Sequence, residues 1–195
     1  MIEVKNVEKS FGDSKVLKGI STIFDTGKTN LIIGQSGSGK TVLLKSLLGI
    51  HTPDKGTISF DGRIYSNLTP DEKRALRTEI GMVFQGSALF DSMTVEENVG
   101  FPLKMFTTKT AAEIKERVDF VIDRVDLKQA HHKKPSELSG GMQKRVAIAR
   151  AIVNNPKYLF CDEPNSGLDP KTAIIIDNLI VFIVGIKIIN LLEGI

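Results

Sequence analysis

A single glycine-rich block constrains the fold of this 195-residue chain more than any other feature. The block is a complete G-x-x-x-x-G-K-[ST] motif, made of Gly34, Gln35, Ser36, Gly37, Ser38, Gly39, Lys40 and Thr41. An apolar run at 31–33 precedes it, and leucines at helical spacing follow it at 43–48. A strand, a glycine-rich loop and a helix in this order predict a phosphate-binding loop. A glycine-rich turn without a ligand is the alternative, and the complete match in this context argues against it.

The residues of this loop suit a nucleoside triphosphate with a bound cation. Glycines at 34, 37 and 39 let the backbone approach phosphate closely and turn its N–H groups inward. Lys40 supplies a positive charge for the β- and γ-phosphates, and Thr41 supplies a hydroxyl for magnesium. We therefore expect ATP and Mg²⁺ as ligands, with Lys40 in a catalytic as well as a binding role.

Two adjacent carboxylates end a second apolar segment, at 158–161. Such a pair is costly to remove from water unless a cation lies near it. We expect Asp162 to hold magnesium and Glu163 to accept a proton from the attacking water. A strand end that simply reaches solvent is the alternative, and the phosphate loop makes it the weaker one. Cys161 lies inside the apolar segment and is interpreted as a packing residue rather than a nucleophile.

A third block, Leu138, Ser139, Gly140 and Gly141, opens a predicted helix at 142–153. The N–H groups at such a helix end are a second place where phosphate can bind. An ordinary serine-capped helix is the alternative, and it is common. The segments 135–137 before the block and 144–151 after it favour phosphate binding. Together with the block they resemble the signature region of the family that is named next.

The three blocks, in this order, resemble the ATP-binding cassette (ABC) ATPases, the nucleotide-hydrolysing subunits of transporters. The resemblance extends from residue 1 to about residue 180. It implies an α/β fold: a P-loop NTPase core with a parallel sheet, an N-terminal antiparallel β lobe and an inserted helical subdomain. The predicted boundaries are 1–86 and 151–180 for the core with its β lobe, 87–150 for the helical signature subdomain, and 181–195 for an atypical apolar tail.

The same resemblance implies a second copy of the chain as a partner. Two copies would bind ATP head to tail, so that Ser139, Gly140 and Gly141 of one copy contact the ATP in the loop of the other. Asp169 matches the loop through which the two copies contact each other. An integral-membrane permease is the second implied partner.

Two more site residues follow from the resemblance. Phe11 matches the aromatic position that stacks on adenine, and without the family it would be interpreted as a core phenylalanine. Gln85 matches the glutamine that contacts magnesium and the attacking water while sensing the permease. We therefore count Gln85 among both the catalytic and the metal-binding residues.

Residues beside these motifs point to one branch of the family. Met142 after the signature glycines, the segment 86–99 and the segment 101–103 resemble the Mla-type branch. Those ATPases drive phospholipid or sterol movement across the bacterial envelope with Mce-domain partners. The resemblance implies lipid transport and a possible Mce-domain lipid-binding subunit. ATPases of amino-acid importers share much of this region and are the alternative.

Composition limits the cellular setting. The formal net charge of +3 is mild and the charged residues are scattered, so nothing favours a nucleic-acid partner. The single cysteine cannot form an internal disulfide, which favours a reducing compartment. The first residues lack an apolar signal region, and the longest apolar run near the end, 179–184, is six residues. Spanning a bilayer takes roughly 20. We expect a cytoplasmic protein, peripheral on the inner face of the cell membrane.

The end of the sequence departs from the family pattern. Relatives carry a switch histidine beyond the catalytic glutamate, at a position that falls at or just past residue 195, and no histidine follows His132. The segment 181–195 does not resemble the family's polar helix and apolar strand, so we hypothesise a truncated cassette whose tail could replace a missing strand. A module that binds nucleotide without turnover is therefore an alternative to an active ATPase. A soluble ABC ATPase acting on nucleic acid or protein assemblies is a third, weaker possibility.

Overall fold

The computed structural model describes residues 1–25, 27–183 and 187–193. Its elements run in the order β1 (Ile2–Phe11), β2 (Ser14–Phe24), β3 (Thr29–Gly34), α1 (Lys40–Leu47), β4 (Lys55–Phe60), β5 (Arg63–Ile64), α2 (Pro70–Thr78), β6 (Ile80–Val83), α3 (Val95–Phe106), α4 (Ala111–Arg124), α5 (Gly140–Ile152), β7 (Tyr158–Asp162), α6 (Pro170–Ile183) and β8 (Lys187–Glu193). Contacts divide the chain into two compact units, Met1–Arg77 with Lys187–Ile195, and Thr78–Ile186.

An antiparallel sheet of spatial order β2-β1-β4-β5 forms part of the first unit. Successive side chains of a strand point to opposite faces, so alternate residues of β1 share its buried face. Ile2 is such a residue, and it lies opposite Phe24 of β2 and Phe60 of β4. All three side chains are buried. This sheet is the β lobe that the sequence predicts.

The first unit also contains the strand and helix that flank the phosphate loop. β3 runs parallel to β8, from Thr29 opposite Ile188 to Gly34 opposite Glu193. After the loop, α1 buries its leucines, and the chain turns away at Gly49, whose φ of +71° suits glycine. The expectation that the tail could supply a strand agrees with β8.

The described part of the second unit contains the parallel strands β6 and β7 and the helices α3 to α6. β6 and β7 lie side by side, with Ile80 opposite Tyr158 and Val83 opposite Cys161. β7 is buried from Tyr158 to Cys161, as the continuous apolar run predicts for a parallel strand. A Cβ on Gly81 would lie 2.3 Å from the carbonyl oxygen of Ala151, so this glycine lets β6 lie close to α5.

Helices α3 and α4 begin at matching capping boxes. Thr94 accepts a hydrogen bond from the amide of Glu97, whose carboxylate accepts one from the amide of Thr94. Thr110 and Glu113 repeat this arrangement at α4. Such boxes satisfy amide groups that a helix start leaves unpaired. The helices bury an apolar core between them and α5: Val99, Leu103, Val118, Val121, Ile122, Val146 and Ile148.

The predicted fold class is confirmed by the antiparallel sheet, the parallel strand pairs and the helices between β6 and β7. The predicted domain boundaries at 86, 150 and 180 are not decided by the two units and stay a prediction. In the described part of the chain, no helix has the length and apolar character that crossing a membrane requires.

Candidate functional site

The predicted phosphate loop connects β3 to α1, and its glycines are required by its geometry. Gly37 and Gly39 have φ of +76° and +96°, which only glycine adopts without strain. A Cβ on Gly34 would lie 2.7 Å from Oγ of Ser38, so a side chain there would displace the Ser38 hydroxyl. The loop closes through the amide of Ser38, which donates to the carbonyl oxygen of Gln35 at 3.1 Å.

The side chain of Lys40 lies within this loop. It is only 8% exposed, and its Nζ donates to the carbonyl oxygens of Gly34 at 2.7 Å and Gln35 at 3.1 Å. In this described stretch, Gly39 gives α1 no side-chain cap and the first turn contains no acidic residue. The N-terminal amides of α1 and the ammonium of Lys40 therefore suit an anion, and Thr41 is exposed at the start of the same helix.

Phe11 lies at the end of β1 and is 45% exposed, so its interpretation as a core residue is wrong. Its ring and that of His51 form a T-shaped pair, with 5.2 Å between ring centroids. Nζ of Lys9 lies 5.5 Å from the centroid of the same ring. An exposed aromatic ring beside a cation suits a planar ligand such as a nucleobase, and adenine stacking stays a prediction.

The second unit brings Gln85 and Glu163 together, although they are 78 residues apart in sequence. Gln85 follows β6, and its Nε2 donates to Oε2 of Glu163 at 2.7 Å and to Oγ of Ser166 at 3.4 Å. Asp162 is the last residue of β7, and Glu163 comes next with a φ of +43°. The backbone bend after β7 thus turns the Glu163 carboxylate toward the glutamine.

Cys161 is fully buried just before this carboxylate pair. Burial, helped by the charge of Asp177, raises the pKa of its thiol to about 12. A thiol with that pKa stays protonated near neutral pH and is a poor nucleophile. The structure confirms the interpretation of Cys161 as a packing residue.

The segment after Gln85 is held by two side chains that the sequence did not single out. Ser87 and Ala88 have φ of +61° and +48°, and Arg150 of α5 donates to both of their carbonyl oxygens at 2.8 Å. Asn98 of α3 is fully buried and accepts from the amide of Phe90 at 2.8 Å. An asparagine three residues after Val95 and next to Val99, both buried in α3, was the signal that could have identified Asn98.

The 138–141 block begins α5 as predicted. Oγ of Ser139 accepts from the amide of Met142 at 3.3 Å, as an N-cap does. A Cβ on Gly141 would lie 2.7 Å from Cγ2 of Thr172 on α6, so close helix packing already requires this glycine. Ser139 and Gly140 are exposed. The serine cap is therefore present, and phosphate contact by this helix end stays a prediction.

Asp169 lies at the start of α6. Its Oδ1 accepts from the amides of Lys171 and Thr172, both at 3.1 Å. Hydrogen bonds from Thr172 hold the pKa of the Asp169 carboxyl below its usual range. The residue is exposed and fixed in orientation, and its predicted contact with a second copy stays a prediction.

The donor chemistry of the predicted magnesium ligands is a hydroxyl (Thr41), an amide oxygen (Gln85) and a carboxylate (Asp162). Among the described residues, there is no group of three or more His, Cys, Asp or Glu placed to hold an ion by themselves. Mg²⁺ is usually bound by one or two carboxylates, phosphate oxygens of the substrate and water. The residues present fit that kind of site.

Comparison with known proteins agrees with this description. The profile of the "ABC transporter" family matches residues 17–166. A probable ribonucleotide transport ATP-binding protein, mkl of Mycobacterium leprae, is 41% identical over 179 residues, which cover 92% of this chain and 52% of that protein. TRIGALACTOSYLDIACYLGLYCEROL 3 of Arabidopsis thaliana is 42% identical over 188 residues, with 92% and 54% covered. The methionine import ATP-binding protein MetN 3 of Shouchella clausii is 42% identical over 177 residues, with 89% and 52% covered.

The chain spans about half the length of these curated relatives. Among solved structures, the dimeric cassette MJ0796 matches with a TM-score of 0.87 and 33% identity, covering 98% of this chain and 87% of that one. The protein cbiO1 from Clostridium perfringens, described as part of the transporter complex cbiONQ, matches with a TM-score of 0.89 and 33% identity, covering 99% and 78%.

Proposed function

Since the chain belongs to the ABC transporter family, we propose that it binds and hydrolyses ATP as the nucleotide-binding part of a membrane transporter. The observation that carries most weight is the 2.7 Å hydrogen bond from Gln85 to Glu163, which joins two predicted catalytic residues from distant parts of the sequence. The complete phosphate loop with its buried lysine supports nucleotide binding independently.

Within one copy, binding of the triphosphate and of adenine is assigned to residues of the first unit. The triphosphate accepts hydrogen bonds from the backbone amides of the loop and of the start of α1. The Lys40 ammonium leaves the carbonyl oxygens of Gly34 and Gln35 and binds the phosphates instead. Phe11 stacks on adenine. Thr41, Gln85 and Asp162 supply oxygen ligands for Mg²⁺. When bound, the ion neutralises charge on the phosphate oxygens.

Hydrolysis is assigned to Glu163 and Gln85. The Glu163 carboxylate accepts the proton of the water that attacks the γ-phosphate. The Gln85 amide donates through Nε2 to Glu163, which leaves its carbonyl oxygen to accept from the water or to contact the metal. The reaction needs little covalent chemistry from the protein, so positioning and charge supply most of the catalysis.

A second copy and a membrane permease are the proposed partners, which places the protein in the cytoplasm on the inner face of the membrane. Dimeric MJ0796 and the complex that contains cbiO1 support these two partners by similarity. The segment 86–94, which contains the exposed side chain of Phe90, is the proposed permease contact. A groove of about 480 Å³ between α3 and α4, with Gly100 and Val118 in its lining, would take an amphipathic cytoplasmic segment of the permease.

Lipid is the proposed cargo, on the resemblance of Met142 and of the segments 86–99 and 101–103 to the Mla-type branch. An Mce-domain lipid-binding subunit would then be a further partner. The Arabidopsis relative is named after a galactolipid, which supports lipid as the cargo. Methionine import, named for MetN 3, is the alternative, and transport assays in vesicles with the cognate permease would separate them.

Turnover with a Glu163→Gln variant tests the proposed hydrolysis. We expect its rate of phosphate release to fall by about 100-fold or more, because a general base contributes that much, while ATP binding is retained. Glu116→Gln, an exposed carboxylate on α4, is the control and should keep the wild-type rate. Equal rates in Glu163→Gln and wild type would refute the assignment.

The same assay tests the alternative that the chain binds ATP without hydrolysing it. ATP binding by the wild type with no phosphate release above that of Glu163→Gln would establish it.

A further inference from the structure

A buried lysine of α5 lies against the candidate catalytic residues. Lys144 is only 6% exposed, and its Nζ donates to the main-chain carbonyl oxygen of Gln85. Burial lowers the pKa of its ammonium, and the charge of Glu163 opposes that shift. Burying an ammonium lowers the stability of the folded protein unless hydrogen bonds and nearby charges offset the loss of water.

Lys144 and Glu163 hold Gln85 from its two ends. The lysine fixes the main-chain carbonyl of Gln85, while the carboxylate accepts from the side-chain amide at 2.7 Å. The lysine therefore sets where the main chain of Gln85 lies, and the carboxylate sets where its side-chain amide lies. The opposite charges of Lys144 and Glu163 attract each other across the glutamine.

The contact also connects Gln85 to the predicted signature block. Lys144 lies in the second turn of α5, the helix that Ser139 caps. A rigid helix moves as a unit, so a displacement of its Ser139 end would be passed through Lys144 to the Gln85 carbonyl. Arg150 of the same helix holds the next carbonyls, those of Ser87 and Ala88, but not that of the glutamine itself.

We propose that Lys144 is a positioning residue for ATP hydrolysis: it orients Gln85 toward Glu163 and makes that orientation depend on α5. The inference rests on the proposed roles of Gln85 and Glu163. Lys144 touches the main chain of Gln85, so it acts through the glutamine and not on the substrate.

Lys144→Met, which removes the charge and the donor but keeps a long apolar side chain, tests this role. We expect kcat to fall by about 10- to 100-fold, because small misplacement of a catalytic group costs that much, with KM for ATP within a factor of two. Arg145→Met is the matched control, since Arg145 is the next residue of α5 and contacts Asp126 and Val125 instead. A kcat unchanged from wild type, or a loss confined to KM, would overturn the proposal.

A Gln85→Ala background separates this role from a general structural one. If Lys144 acts through the glutamine, Lys144→Met lowers kcat further by less than a factor of two in that background. An undiminished further loss would show that Lys144 does not act through Gln85. No effect of Gln85→Ala alone would instead contradict the proposed function, which makes the two failures distinguishable.

Hydrogen exchange gives a readout that does not need turnover. Lys144→Met should speed amide exchange in the peptide that contains Gln85–Ala88, while Arg145→Met leaves it at the wild-type rate. Unchanged exchange in Lys144→Met would show that the lysine does not hold this segment, whatever the activity.

Discussion

Lys40 and Lys144 are both buried, and each donates to main-chain oxygens of a loop that bears site residues. An ammonium without such partners would be expensive to bury. Lys40 binds the carbonyls of Gly34 and Gln35, whereas Lys144 binds the carbonyl of Gln85. Both lysines therefore shape a loop as well as carrying a charge, and removing either should alter that loop.

The carboxylate of Glu113 gives a residue-scale prediction of pH dependence. Hydrogen bonds from the amide and hydroxyl of Thr110 hold its pKa below the ordinary value. A lowered folded-state pKa contributes stability above the unfolded-state pKa, and that stability is lost as the pH falls through the folded-state value. Glu113→Gln should therefore lower the free energy of unfolding at pH 7, measured by urea titration, and the difference from wild type should shrink as the pH is lowered toward 3.

Glu116→Gln, one turn along the exposed face of α4, is the control for this effect. It should change the free energy of unfolding little at either pH. A difference between Glu113→Gln and wild type that is as large at pH 3 as at pH 7 would show that ionisation of Glu113 is not its source.

At the scale of elements, α3 and α5 together hold the segment between β6 and α3. Asn98 of α3 donates to the carbonyl oxygens of Phe90 at 3.1 Å, Met93 at 3.2 Å and Thr94 at 3.0 Å. Arg150 of α5 holds the carbonyls of Ser87 and Ala88. The proposed permease contact is thus an irregular segment whose shape is set by two helices.

Asn98→Ala should destabilise the protein by about 2–3 kcal/mol, because it leaves buried backbone groups without partners. Urea unfolding of the whole chain measures this loss. Asn67→Ala, at an exposed asparagine in a short 3-10 turn, is the control and should lie within about 0.5 kcal/mol of wild type. A loss for Asn98→Ala no larger than the control's would mean that solvent replaces these bonds.

The elements that the sequence predicts well are those whose signals are local. The phosphate loop, the buried strand at 158–161 and the Ser139 cap each depend on neighbouring residues, and all three are present. Asn98, Arg150 and Lys144 make contacts that depend on which helices and loops pack together. The spacing of residues along the sequence does not predict this packing. Phe11 is the last residue of β1 and lies opposite Ser14 of β2, so its exposure belongs to the end of this hairpin.

At the scale of the whole molecule, the proposed mechanism needs two copies. Ser139 and the glycine after it are exposed at the start of α5, where a second copy could present ATP. Asp169 is exposed and capped in a fixed orientation at the start of α6. The proposed head-to-tail arrangement would bring Ser139 and Gly140 to the ATP of a second copy and Asp169 to the contact between the two copies.

Mixing two inactive variants tests this central claim most directly. Lys40→Met removes the proposed phosphate-binding lysine but keeps the predicted signature block, whereas Ser139→Arg obstructs that block but keeps the loop. Each variant alone should release little phosphate from ATP. In a mixed head-to-tail dimer, the loop of the Ser139→Arg copy meets the intact signature of the Lys40→Met copy, so the mixture should recover part of the wild-type rate. A mixture of folded variants that stays as inactive as its components would contradict ATP hydrolysis at sites shared between two copies.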